Sequence, residues 1–306
     1  MYQNLVIEGS SSKLYAFIGA VKVLEENKTL DTISKFVGVS SGSILATMLA
    51  VGYSFQDIYD ILYNLDIDKI KHTPFFCGLY NFIFKYGYYS SSKYVKFLQS
   101  LLKNKTGNAN YSFLDLYNST GKTLIILGTC VNKREVHYYN YVSNPNMPIW
   151  KAIQISTCIP YAFSPVKWGS DTLIDGGVLE NFPIYYIQED GSFPNSRKEL
   201  IRYNNMKHNG NKYTLGLKIM TRDYNRSDVY FIGNSPTNSL KDYSLCILNT
   251  MLTDIEKNNI YENYFANTVS ITIDKQIDFY KLNLPNETKE YLFNKGIEDT
   301  KKYFII

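Results

Sequence analysis

Ten residues in the middle of the chain, Lys122 to Val131 (KTLIILGTCV), are nearly all apolar and rich in β-forming residues. A strand that is apolar on both faces must be covered on both faces. That is the position of a central strand in a parallel sheet, not of a half-solvated ribbon. The chain before it agrees. Leu5 to Ile7 reads as a strand followed by a helix from about Tyr15 to Asn27, and Phe36 to Val39 as a second short strand. A helix from about Ser43 to Val51 then carries Ile44, Leu45, Met48 and Leu49 on one side. Another starts at Ser54, where Ser54 and Asp57 have the spacing of a capping box with Asp in place of Glu. Arg134 to Tyr139 is expected to pair beside the central strand. The alternation specifies an α/β chain.

The second half is more broken. Asp190 to Lys212 is polar and rich in Asn, Gly and Ser, as in a surface insertion. Tyr213 to Met220 alternates as a strand. Ser239 to Phe265 places Leu248, Met251, Leu252 and Ile255 at helical spacing. Thr268 to Ile273 reads as a strand, and a last helix runs from about Asn286. With no internal repeat and no linker, the expectation is one domain with a C-terminal elaboration packed on it.

Composition narrows the function classes. The net charge is only +4, and the basic residues are scattered among acids, which argues against a nucleic-acid partner. Cys77, Cys130, Cys158 and Cys246 are far apart, with no CxxC pair and no histidine at ligand spacing, so no metal site is expected. The N-terminus lacks a basic leader, and no run reaches the roughly 18 apolar residues of a spanning helix. An intracellular, cytoplasmic protein is the expectation. The 28 Tyr and 17 Phe reflect either an AT-rich genome or interfacial anchoring. Anchoring requires clustering, and Thr73 to Tyr89 (TPFFCGLYNFIFKYGYY) supplies it, with Lys69, Lys71 and Lys85 close by. The other reading of that segment is a helical cap packed on the core.

Chemistry points to two segments. Gly38-Val39-Ser40-Ser41-Gly42 fits G-x-S-x-G between a β-like run and an apolar helix, the context of a nucleophile elbow with Ser40 exposed above a helix N-terminus. The bland alternative is a glycine-rich turn with a capping serine. A serine also needs a base. His72, His137 and His208 lie in an aromatic segment, a strand and the polar insertion, which are ordinary settings. Asp175, at the end of an apolar run and before Gly176 and Gly177, is the better candidate, because partial burial there would raise its basicity. The opening turn, Glu8-Gly9-Ser10-Ser11-Ser12-Lys13, breaks a strand and feeds a helix, which aims backbone N–H groups at something negative. It is not a P-loop: Ser12 and Leu14 flank Lys13 where glycine and a hydroxyl residue are required.

Taken in order, these motifs resemble the patatin-like phospholipase family. So do Ser156 to Pro165 (STCIPYAFSP), the stretch Val178 to Pro183 after Asp-Gly-Gly, and the first helix, Ala16 to Glu26. The resemblance covers roughly residues 3–185, which it implies are the catalytic core, and leaves 186–306 as the C-terminal elaboration. It implies a three-layer α/β/α sandwich with a mainly parallel central sheet and a nucleophile elbow. It also implies a Ser–Asp dyad of Ser40 and Asp175, and an oxyanion hole at Gly9, Ser10 and Ser11 supported by Lys13, Gly38, Gly42, Gly176 and Gly177. No metal or cofactor is implied. The substrate would be a phospholipid or other lipid ester at a membrane surface approached peripherally, with an activating protein partner left open. The family's G-G-G-x-[RK]-G is altered here: Ser10, Ser11 and Leu14 replace glycines. If positive φ is needed, serine pays for it conformationally. Two other readings stand beside acyl hydrolysis: a catalytically weakened lipid-binding or regulatory protein, and a triad esterase using Ser40, Asp175 and His208.

Overall fold

The computed structural model describes residues 1–187, 212–221, 267–274, 277 and 282–305. The chain begins β1 (Asn4–Ile7), α1 (Leu14–Glu26), β2 (Lys35–Gly38) and α2 (Ser41–Ala50). Next come α3 (Phe55–Tyr63), α4 (Ile67–Lys71), α5 (Phe75–Lys85), β3 (Gly87–Tyr89), α6 (Ser92–Thr106) and α7 (Phe113–Thr120). The central hairpin is β4 (Thr123–Cys130) with β5 (Glu135–Tyr139), followed by α8 (Ile149–Ser156), β6 (Tyr161–Phe163), β7 (Val166–Trp168) and β8 (Asp171–Asp175). Then come β9 (Thr214–Thr221), β10 (Thr268–Ile273) and α9 (Asn286–Ile305). The helix expected over 239–265 and nearly all of the insertion expected over 190–212 lie outside the described residues.

The main sheet runs β10-β9-β1-β2-β4-β8-β7, with β5 also on β4. From β10 to β4 every pair is parallel, whereas β5 and β8 meet β4, and β7 meets β8, antiparallel. All of β4 is buried, as its composition requires. Its residues alternate between two clusters, and so do those of its neighbours. Leu5, Ile7, Phe36, Leu124 and Ile126 face Phe17, Leu45, Leu98, Phe113 and Ile153 of the helices. Val6, Val37, Ile125 and Leu127 face Ile184, Tyr186 and Ile187. The sheet is therefore the middle layer of a three-layer α/β/α sandwich. Ser54 and Asp57 form the reciprocal capping box at the start of α3.

The segment from Thr73 to Tyr89 forms α5 and β3. Among the residues of α5 only Gly78 is buried, and Phe75, Phe76, Tyr80, Phe84 and the adjoining Tyr86 are 55–82% exposed. A cap packed away on the core is not what forms. The helix is tied down at its C-terminal end, where β3 pairs with β6.

At the other end of the chain, α9 lies against α1 with backbone touching backbone. A Cβ on Gly19 would sit 2.1 Å from the Phe293 carbonyl oxygen, and one on Gly296 1.9 Å from that of Ala16. Only hydrogen fits at the crossing. Gly296→Val should therefore cost about 3 kcal/mol in urea unfolding, by prising the helices apart. Lys301→Ala, on the exposed face of the same helix, should stay within about 0.5 kcal/mol of wild type.

Candidate functional site

Ser40 stands just beyond β2. Gly38, the last residue of that strand, pairs with Ile7 of β1 and Ile126 of β4, so the turn rises at the carboxyl ends of adjacent parallel strands. This is where open α/β sheets place their sites. Ser40 has φ 49° and ψ −127°, a conformation L-residues avoid, costing of order 1–3 kcal/mol. Neighbouring contacts hold it. Its N–H donates to Ser156 Oγ at 2.9 Å, and its carbonyl accepts from Ser43 N and Oγ at 2.9 and 2.6 Å. A Cβ on Gly42 would lie 2.5 Å from the Glu8 carbonyl oxygen. Glycine there lets the start of α2 press against the end of β1, which fixes the elbow beside the opening turn.

Asp175 arrives from the opposite direction. It ends β8 and pairs with Gly128 of β4, two positions beyond Ile126, where β2 ends. The strands carrying the serine and the acid thus run head to head along one template. The Ser40 hydroxyl donates to Asp175 Oδ2 at 2.6 Å, and the Gly177 N–H donates to Oδ1 at 2.8 Å. Gly176 begins the 3-10 turn that delivers this N–H. Burial pushes the Asp175 carboxyl up to about 7, outweighing the lowering by these two hydrogen bonds. Burial, with the Asp175 carboxylate close by, also pushes the Cys158 thiol up to about 12. It stays protonated and donates to the Ser164 carbonyl at 3.1 Å, so it is no rival nucleophile.

The opening turn lies alongside. The Gly9 N–H donates to the Asn181 carbonyl at 3.2 Å, and Asn181 Nδ2 donates back to the Gly9 carbonyl at 2.9 Å. The Ser10 N–H donates to Ser41 Oγ at 3.1 Å, and the two hydroxyls are also 3.1 Å apart. Positive φ is found at Ser11, 51°, but not at Ser10, which has φ −128°. The strain expected of both serines falls on Ser11 alone. Lys13 closes the 3-10 turn, its N–H donating to the Ser10 carbonyl at 3.0 Å. At the foot of the loop the buried Glu8 carboxylate takes Lys218 Nζ and the Ile219 N–H, each at 2.7 Å.

Above Ser40 opens an apolar pocket lined by Ile18, Ile44, Leu62, Leu65, Phe97 and Phe163, with Ser11, Ser12 and Ser41 beside Ser40. Ser12 Oγ is buried there with no hydrogen-bond partner among the described residues. His72 is exposed, and His137 Nε2 lies 3.2 Å from Glu135 Oε1. His208, the base of the triad reading, lies outside the described residues. Two supports are not legible in the sequence, Ser156 under the Ser40 N–H and Asn181 across Gly9. Both fall in stretches that resemble the family, but nothing in the sequence specifies their contacts.

The chain resembles known proteins in sequence and in fold. The chain is 29% identical over 307 residues to an uncharacterised protein of Acanthamoeba polyphaga mimivirus, covering 99% of this chain and 94% of that one. It is 31% identical over 189 residues to the probable lipid hydrolase 463L of Invertebrate iridescent virus 6, covering 60% of this chain and 62% of the relative. Among solved structures, VipD from Legionella pneumophila superposes with a TM-score of 0.61 at 16% identity, over 99% of this chain and 66% of VipD, a likeness of fold. The sequence profile described as Patatin-like phospholipase matches residues 5–187. The chain belongs to the patatin-like phospholipase family.

Proposed function

We propose that the chain hydrolyses carboxylic ester bonds of glycerophospholipids, a phospholipase A-type reaction, with Ser40 as nucleophile and Asp175 as its base. The observation that carries this reading is the 2.6 Å hydrogen bond from Ser40 to a buried carboxylate at the base of an apolar pocket. Family membership and the description of the iridescent virus relative support lipid ester hydrolysis. Ser40 Oγ attacks the ester carbonyl while its proton passes to Asp175. The negative oxygen of the tetrahedral intermediate is met by the N-terminus of α2 and by the opening turn, Gly9 to Ser11, where the Gly9 and Ser10 N–H groups turn to it from the Asn181 carbonyl and Ser41 Oγ. Collapse returns the proton to the departing lysophospholipid oxygen and leaves an acyl ester on Ser40. Water, giving its proton to Asp175, then releases the fatty acid. The apolar pocket houses the acyl chain. The residues present complete this cycle without a cofactor.

The membrane is met by α5. Its exposed aromatics, with Lys69, Lys71 and Lys85 alongside, have the composition of an interfacial helix. Among the described residues no helix is long and apolar enough to cross a membrane. The contact is peripheral, and the α4 residues Ile67 and Ile70 carry it to the pocket wall.

Fluorophosphonate labelling tests the dyad. The wild type should be labelled, and Ser40→Ala should lose both label and ester hydrolysis without losing its fold; hydrolysis persisting in that variant would move the active site elsewhere. The base must be ionised, so kcat/KM on a soluble ester should rise towards pH 7 and level off above it. The stability sign is opposite. Below the ordinary carboxylate range Asp175 is neutral folded and unfolded. Between there and about 7 only the unfolded chain ionises, so stability falls, and above 7 the loss is constant at about 4 kcal/mol. Asp175→Asn should therefore be inactive yet melt higher than wild type at pH 8, with the gap closing by pH 4. In the opening turn, Ser11→Gly should raise kcat with KM nearly unchanged, because it removes the positive-φ strain. Ser10→Gly should lower kcat, because the hydroxyl contact with Ser41 goes with its side chain and leaves only the backbone N–H to hold the turn. Replacing Phe75, Phe76 and Phe84 by Ser should cut hydrolysis of vesicle lipid at least tenfold relative to that of a soluble ester. An equal fall on both substrates would mean that α5 has no role at the interface.

A further inference from the structure

The hairpin of β4 and β5 and the start of β8 bring three metal-binding side chains together away from the pocket. Cys130 ends β4, His137 lies in β5 beyond the Val131–Arg134 turn, and Asp171 opens β8. One ligand atom from each falls within 4.8 Å of the others. Register explains the convergence, because Cys130 pairs with Glu135 on one strand and with Leu173 on the other. Two residues along β5 and β8 are His137 and Asp171, on the same face as those partners.

We propose that Cys130, His137 and Asp171 form a zinc-binding site that clamps the antiparallel end of the sheet. The donor set of one sulfur, one nitrogen and one oxygen is that of zinc, with water as the fourth ligand. His137 Nε2 is 3.2 Å from Glu135 Oε1, and its Nδ1 is 3.9 Å from Asp171 Oδ2. With Nε2–H donating to Glu135, the Nδ1 lone pair is turned towards the Asp171 oxygen. A carboxylate behind the histidine is the usual second partner of a metal-bound imidazole. In that tautomer two acceptors face each other across 3.9 Å, a gap that a cation would bridge. Ligands on a tetrahedral zinc lie about 3.3–3.8 Å apart, so the cluster needs only a small contraction.

Charge balances as well. Lys133 Nζ now lies 2.7 Å from Asp171 Oδ1 but is half exposed and can swing to solvent. The Cys130 thiol now donates to Asn132 Oδ1 at 3.4 Å. On binding it gives up that proton to water, and its thiolate with the Asp171 carboxylate neutralises the dication. Tyr139 Oη, buried with no hydrogen-bond partner among the described residues, belongs to a ring set edge-on to His137. It offers a polar group to the water on the ion. Asp171 and Asp175 are the two ends of β8, so an ion at one end fixes the strand that presents the base at the other.

Cobalt(II) is the direct probe. Reduced, chelator-stripped protein titrated with Co²⁺ should develop a thiolate-to-cobalt charge-transfer band and tetrahedral d–d bands that saturate at one ion per chain. Zn²⁺ should bleach both and raise Tm. Asp171→Asn and His137→Gln, at partly exposed positions, should weaken Co²⁺ binding at least tenfold, and Glu135→Gln about tenfold. Cys130→Ser should remove the charge-transfer band, whereas Cys77→Ser, at an exposed thiol, should keep it. Should Cys130→Ser not fold, the Asp171 and His137 variants decide. No band in folded wild type, or binding unaltered in both Asp171→Asn and His137→Gln, overturns the site. Labelling of Ser40 reports separately on the ester-hydrolase reading, and neither result bears on the other.

Discussion

Everything at the site depends on how β4 is shared. Its first half pairs in parallel with β2 and its second half antiparallel with β8, so two strands from distant parts of the chain end facing each other on one buried template. Ser40 and Asp175 need no loop to find each other; sheet hydrogen bonds set their separation. This explains how a short 2.6 Å contact can form between a strained serine and a buried acid. Neither conformation is favourable alone. The Ser40 backbone is held by Ser156 and Ser43, and the Asp175 carboxylate by Ser40 and Gly177. Each member of the pair is part of what stabilises the other.

Burial of Asp175 is the central energetic compromise. A carboxylate with more water around it would be cheaper to ionise and a weaker base. At about 7 it is matched to taking a proton near neutral pH, and the fold bears the cost of the buried charge. Cys158 registers the same environment: burial and the neighbouring acid keep its thiol neutral. In the proposed reading the site has one nucleophile and one base, and this division of roles comes from desolvation rather than from residue type.

How much of this was legible in the sequence depends on whether the information was local. The apolar run of β4, the helical spacing in α2 and the capping box at Ser54 are local, and each element stands where its pattern puts it. Ser40 and Asp175 were legible because an elbow and an Asp-Gly-Gly turn impose local backbone demands. The support from Ser156 was not legible, since it spans 116 positions and depends on how α8 lies over the sheet. Nor was the division of strain between Ser10 and Ser11: both replace glycine in the family pattern, yet only one has positive φ. The Cys130–His137–Asp171 cluster escaped a search by spacing because two of its side chains come from a hairpin and the third from a strand beyond it. The aromatic run around α5 could be read as core or as interface, and only exposure distinguishes these.

That exposure bears on the pocket because of one small feature. β3, directly after α5, pairs with β6 through Gly87 with Tyr161 and Tyr89 with Phe163. β6 follows the Ile159–Pro160 bend, and both Ile159 and Phe163 line the pocket. Phe163 also packs against Tyr89 and Tyr94, with ring centroids 5.8 and 6.1 Å away. The two-stranded pairing thus joins an exposed aromatic helix to the wall of the apolar pocket by backbone hydrogen bonds and ring contacts. A lipid chain leaving a bilayer beneath α5 would pass from apolar surface to apolar surface before reaching Ser40. The large penalty of moving an acyl chain through water is then avoided, about 0.8 kcal/mol for each methylene. On this view the abundance of Phe and Tyr in the segment has a use whatever its genomic origin. In the proposed reading it keeps the route from membrane to Ser40 dry.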